Sequence, residues 1–154
     1  MVWRSRRRPA ASLLAVLTAL TFVAAACDSD GGGGTVEVTL QEWAVTPGTS
    51  SVAAGEVTFE ATNEGPNDPH ELVVFATDLA PDALPTNEDG SVNEEGEGVT
   101  LIGEIEEFPV DESESATFTL EAGSYVLICN LVEEEEGELE SHYQEGMRVA
   151  FTVE

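Results

Sequence analysis

Beyond residue 26 the chain carries two histidines, His70 and His142, one methionine, Met147, and two cysteines, Cys27 and Cys129. With Cys27 expected to carry a lipid, one thiol, two imidazoles and one thioether make up the soft donors. A thiolate and two imidazoles in a trigonal array, with a weak axial thioether, suit a copper ion: sulfur matches Cu(I), and imidazole matches both oxidation states. Each residue alone has a plainer use. A lone buried cysteine is usually a small hydrophobe, a methionine fills core space, and a histidine is structural or at the surface. Their joint occurrence, in the order His70, Cys129, His142, Met147, points to a metal.

The elements that must position these residues have a period of two. Val36, Val38 and Leu40 alternate with polar residues, as do Val57, Phe59 and Ala61, then Ala116, Phe118 and Leu120, and finally Val149, Phe151 and Val153. Such alternation marks half-buried strands. "ELVVFA" and "YVLIC" are continuous apolar runs, as expected of strands covered on both faces, and "TPGTS", "NEGPNDP", "APDALPTNEDG" and "LEAGS" are turn segments. No stretch repeats apolar residues convincingly at helical spacing. The pattern predicts an all-β Greek-key sandwich of two antiparallel sheets with seven or eight strands over residues 35–154. The acidic, Gly- and Pro-containing stretch 77–98 is expected to be the one long loop, with room for a short helical turn.

Within that frame, alternation puts Tyr125, Leu127 and Cys129 on one face, so the thiol points inward at a strand end. His142 and Met147 precede the last strand, and His70 opens another core strand directly after a Pro-containing turn. Twelve residues, 130–141, separate Cys129 from His142, and six of them are glutamates in "EEEEGELE".

These segments resemble the cupredoxin family of small blue-copper proteins over Val36 to Val153. The likeness rests on "AAGEVTFEATNEG" before "PHELVVF", on "LEAGSYVLIC" with its Gly-x-Tyr-x3-Cys spacing, and on "HYQEGMRVAFTV" with His-x4-Met. The resemblance implies one type 1 copper held by His70, Cys129 and His142, with Met147 axial, in a one-electron carrier rather than an enzyme. It also implies that His142, on an exposed rim, is where the electron leaves. Two departures stand out: family members commonly place only a few residues between the cysteine and the second histidine, and Glu71 follows His70 where relatives often have a small polar residue.

The first 26 residues read as an export signal: four arginines, then an apolar run from Ala10 to Ala26. At about 17 residues the run falls short of the roughly 20 that a membrane-spanning helix needs. "VAAAC" resembles the lipobox of bacterial lipoproteins, which would make Cys27 the lipidated first residue and 27–34 a Gly-rich tether; Ala24-x-Ala26 equally suits ordinary secretory cleavage to a soluble secreted or periplasmic protein. If lipid takes Cys27, Cys129 has no partner for a disulfide.

Past the leader, 31 acids face one cation, Arg148, a net charge of −30. A field of that sign excludes nucleic-acid binding and repels anionic headgroups, so membrane contact is expected only through the N-terminal lipid. It suits either a surface adapted to high salt or, for an expected monomer, docking to a redox partner with a basic face, such as a cytochrome or an oxidase domain. Two other readings stay open: a copper-capture or copper-transfer lipoprotein with no redox role, and a metal-free interaction domain of the same fold. A hydrolase is disfavoured because no serine nucleophile elbow is present, and "NEDGSVNEEGEG" does not have the spacing of an EF-hand loop.

Overall fold

The computed structural model describes residues 32–135 and 137–154. The expected leader and Cys27 lie outside the described residues. The strands are β1 (Gly33–Gln41), β2 (Ala44–Pro47), β3 (Ser51–Val52), β4 (Gly55–Asn63), β5 (His70–Ala76), β6 (Thr100–Phe108), β7 (Ser113–Leu120), β8 (Gly123–Ile128), β9 (Val132–Glu135), β10 (Glu138–Ser141) and β11 (Arg148–Val153). A single helical turn, α1 (His142–Glu145), precedes β11.

Two sheets form the sandwich, one ordered β2-β1-β4-β7 and the other β3-β11-β8-β5-β6, and β9 pairs with β10 as a separate hairpin. Eleven strands among the described residues exceed the seven or eight expected. The surplus comes from pieces too short to show a period, such as β3, and from the hairpin, which lies in a run of glutamates. The sheets are also mixed rather than purely antiparallel: β1 runs parallel to β4, and β3 parallel to β11.

Alternation decides the core. Val36, Val38, Leu40, Val57, Phe59 and Ala61 from the first sheet meet Leu72, Val74, Leu127, Phe151 and Val153 from the second, all almost fully buried. Fully burying one of these valine, leucine or phenylalanine side chains contributes roughly 1.5–3 kcal/mol. The continuous apolar runs are covered on both faces, as their composition predicts: Val73, Phe75, Val126 and Ile128 face outward from the second sheet and pack against Leu84, Val92 and Tyr143. Leu84 and Val92 come from the long loop, which therefore serves as a lid on that sheet. It folds through turns and one bridge, Thr86 to Val92, with no helical turn.

Two of the glycines expected to belong to a tether, Gly33 and Gly34, lie in β1. Gly33 already pairs with Glu56 in β1. Its φ is 101°, and a Cβ there would stand 2.0 Å from the Glu56 carbonyl oxygen, so the glycine is required by the close approach of the two strands.

For the site, the order β11-β8-β5 in the second sheet matters most. These neighbours are antiparallel, with Val73 opposite Ile128 and Arg148 opposite Ile128. The start of β5, the end of β8 and the start of β11 therefore share one end of the sandwich, although up to 78 residues separate them in sequence.

Candidate metal centre

At that end the structure brings together His70, Cys129 and His142, each with no solvent exposure. His70 Nδ1 and His142 Nδ1 are 3.2 Å apart, and Cys129 Sγ lies 3.3 Å from His142 Nδ1 and 3.9 Å from His70 Nδ1. The point equidistant from the three atoms is about 2.0 Å from each, the length of a metal–imidazole bond and slightly short of a metal–thiolate one. The donor set thus fits a first-row ion such as copper in both chemistry and size. Met147 is fully buried in the same core, its amide donating to His142 O at 3.0 Å and its carbonyl accepting from Cys129 N at 3.1 Å.

The twelve-residue insertion does not separate the ligands, because it folds back on itself. β9 and β10 zip from Glu135 opposite Glu138 down to Val132 opposite Ser141, and His142 N donates to Leu131 O at 3.0 Å. Chain that leaves at Leu131 therefore returns at Ser141, whatever the length between. Ser141 then caps α1, its Oγ accepting from Gln144 N, and Gly146, at φ 129°, ends it. Tyr143 anchors this turn to the long loop, its hydroxyl donating to Pro81 O at 2.8 Å and accepting from Leu84 N at 3.2 Å. Arg148 stacks on the Tyr143 ring and donates to the carbonyls of Tyr143 and Gln144. Arg148, the single cation beyond residue 26, is thus engaged within the site's own scaffold.

His142 is not on an exposed rim, contrary to the expectation carried by the resemblance. The Trp43 ring packs against it edge-on at 5.0 Å, the His70 ring does so at 5.1 Å, and Glu133 of the hairpin stands 3.4 Å from its Nε2. The insertion that looked like an interruption is a cover.

Burial governs the protonation of the metal-free site. It pushes the Cys129 thiol up to about 12, against the pull of the Glu71 and Leu131 amides and with help from the charges of Glu71 and Glu133. It also lowers His70 to about 4, aided by His142 and opposed by Glu42. The thiol is therefore protonated and His70 neutral near pH 7, so metal uptake must displace the thiol proton.

Several supporting residues are not evident from motif and spacing. Asn63 is fully buried, with Nδ2 donating to Asp68 O (2.9 Å) and Phe108 O (3.2 Å) and Oδ1 accepting from Gly65 N (2.8 Å). It fixes the loop that delivers His70. The sequence held a signal for it: Asn63 continues the inward series Val57, Phe59, Ala61, where a polar residue is out of place. Asn130 clamps the Cys129 end to the long loop, its side chain bonding both Val92 N (2.6 Å) and Val92 O (3.2 Å).

Glu71, the second departure, takes a comparable role: its amide points at Cys129 Sγ (3.5 Å) and its carboxyl accepts from Asn130 N (3.1 Å). Burial raises that carboxyl to about 7 from an ordinary 4.5, opposed by the Asn130 amide and reinforced by Glu104, Glu94 and Glu106. The stability tied to its neutral form is complete below about pH 4.5 and is lost as the pH rises through about 7. Glu71→Gln keeps the acceptor and removes the titration. In urea unfolding of the metal-free protein it should match the parent at pH 4.5 and exceed it by about 1–3 kcal/mol at pH 8. Equal stability at both pH values would refute the assignment.

No family model matches the sequence, and no curated protein matches it. Solved structures do. Na-dithionite reduced auracyanin from the photosynthetic bacterium Roseiflexus castenholzii is 17% identical with a TM-score of 0.53, over 79% of this chain and 96% of that one. Auracyanin A, a "blue" copper protein from the green thermophilic photosynthetic bacterium Chloroflexus aurantiacus, is 20% identical with a TM-score of 0.51, over 80% of this chain and all of that one. Rusticyanin from Thiobacillus ferrooxidans is 14% identical with a TM-score of 0.53, over 80% and 79%.

The fold is the cupredoxin fold. The β-sandwich of this cupredoxin-fold chain and its buried His70, Cys129 and His142 group agree with the sequence resemblance. Among the described residues, no helix is long and apolar enough to cross a membrane.

Proposed function

We propose that the chain binds one copper ion through His70, Cys129 and His142, with Met147 as the axial ligand, and serves as a one-electron carrier. The observation that carries this reading is the buried triangle of one thiol and two imidazole nitrogens, 3.2–3.9 Å on a side. The chemistry a bound copper ion supplies is a reversible change between Cu(I) and Cu(II). This chain's residues hold the donors in place through that change: β5, β8 and β11 are hydrogen-bonded neighbours, and Asn63, Asn130 and Ser141 pin the connecting segments. The same burial keeps water from the sulfur.

Export through residues 1–26 and lipidation at Cys27 would place the domain, as a monomer, on the outer face of the cell membrane. Glu133, beside His142, and the strong acidity of the chain past residue 26 would then favour a partner with a basic face, such as a cytochrome or an oxidase domain. Burial of His142 beneath the hairpin also supports a second reading, copper capture or transfer without a redox role. A reduction potential outside the range of plausible partners would favour that alternative.

Visible and EPR spectroscopy with Cu(II) test the proposal. The parent protein should develop an intense thiolate-to-Cu(II) band, Cys129→Ser should lose it completely, and His70→Ala should weaken or shift it. A parent that stays colourless and retains no copper overturns the reading.

A further inference from the structure

Three buried side-chain polar atoms among the described residues have no hydrogen-bond partner: His70 Nε2, His142 Nε2 and Glu42 Oε2. They lie around the same site. His70 Nε2 is 3.9 Å from Glu42 Oε2, and His142 Nε2 is 3.4 Å from Glu133 Oε2. Each ring thus turns Nδ1 towards Cys129 and Nε2 towards a carboxylate.

A neutral imidazole carries one proton, on one nitrogen or the other. The Nδ1 atoms are 3.2 Å apart, which is favourable only if one of them holds its proton there. That ring's Nε2 then presents a bare lone pair to a carboxylate. With both protons on Nε2, two lone pairs face each other across the site. In the metal-free protein no placement of one proton per ring satisfies the Nδ1 pair and both carboxylates. A cation between the Nδ1 atoms removes the conflict: both lone pairs go to the ion, and both protons sit on Nε2, each facing a carboxylate.

We propose that Glu42 and Glu133 are the proton acceptors of the two ligand imidazoles, positioning residues that fix both rings in the Nε2–H form and favour the more highly charged oxidation state of the bound ion. The inference rests on the copper reading above. Glu42 is already oriented for this role, because its Oε1 accepts from Asn67 N (2.7 Å) and Asp68 N (2.8 Å), in the loop just before His70, which leaves Oε2 for the ring. Glu133 is placed by the hairpin, opposite Glu140 in register. Among the described residues, Asp68 offers a rival acceptor at His142, since one of its oxygens lies within 4.8 Å of both a Glu133 oxygen and a nitrogen of the ring. An acceptor that orients a ligand histidine tunes both its basicity and the metal.

Redox titration of the copper-loaded full chain tests this for the parent, Glu42→Gln, Glu133→Gln and Asp68→Asn. Each glutamine variant keeps an acceptor but loses the charge, and should lower the ratio of Cu(II) to Cu(I) affinity by about tenfold, which is a rise of 59 mV in potential for one electron. Both should keep the charge-transfer band. A change below twofold in both variants, with the band intact, overturns the proposal while leaving the copper reading standing. A large effect of Asp68→Asn with none of Glu133→Gln overturns the Glu133 assignment. Nitrogen-15 NMR of the protein loaded with redox-silent Zn(II) should show both rings protonated at Nε2; a ring protonated at Nδ1 would refute the tautomer argument. A parent that shows no copper band but binds Zn(II) in this form defeats the copper reading alone, and one that binds neither ion defeats both.

Discussion

In the folded, metal-free protein the Cys129 thiol should react with iodoacetamide at pH 8 about a thousandfold more slowly than in the urea-unfolded chain, followed by mass spectrometry of the Cys129 peptide. The thiolate is the reactive species, and burial moves this thiol from an ordinary 9 up to about 12. That shift alone reduces the thiolate fraction by about three powers of ten. The absence of any solvent exposure at Cys129 works in the same direction. The same measurement speaks to function, because an ion that takes the sulfur must release its proton. Adding Cu(II) to unbuffered metal-free protein should therefore acidify the solution, and Cys129→Ser should not contribute that proton. Alkylation of the folded protein at the unfolded rate would mean that the thiol is neither buried nor held in its neutral form.

The largest loss of stability from a single polar substitution is expected at Asn63. Its side chain makes three hydrogen bonds to backbone groups: the carbonyls of Asp68 and Phe108, and the amide of Gly65. Asn63→Ala leaves these groups without their partner in the interior, and each such orphan costs about 1–3 kcal/mol. A total of about 3–5 kcal/mol, allowing for relaxation of the loop, is a large share of what a domain of this size possesses. Because Asp68 lies two residues before His70, the variant should also bind copper more weakly. Urea unfolding gives the first quantity and a competitive chelator titration the second. Asn63→Asp keeps the shape but loses both Nδ2 donors. If that variant is as stable as the parent, the donor bonds do not hold the loop.

The effects of these substitutions separate what can be read along the chain from what cannot. Alternation at Val36–Leu40, Val57–Ala61 and Phe151–Val153 reports which side of each strand is dry, since side chains on a pleated strand change face at every residue. The sandwich and its inward faces follow from that. The soft donors are too few to be ambiguous, and their order already matched a trigonal copper set. Asn63 continues the inward series of β4, yet its hydrogen-bonding role belongs to no motif and shows only in the fold.

Strand adjacency is not written in a period of two, because the same alternation fits many pairings. That β11, β8 and β5 are neighbours, and so bring residues 70, 129, 142 and 147 to one end, was decided by the packing of the two sheets. The insertion shows the limit most clearly. By composition, "EEEEGELE" reads as a solvated loop, and only the pairing of Val132 with Ser141 turns it into a hairpin that returns His142 to Cys129. The same hairpin buries His142 and sets Glu133 against it, which no local pattern could foretell.

By itself, the sequence determined the class of fold, the donor inventory and the acidity of the surface, because composition and alternation are properties of the chain alone. The closing of the ligand triangle, the cover over His142 and the carboxylates behind both rings were decided only by the tertiary structure. Glu42 and His70 lie 28 residues apart, and His70 and His142 lie 72 apart. Contacts across such distances exist only when folding has set the entropy of loop closure against the burial of a common core.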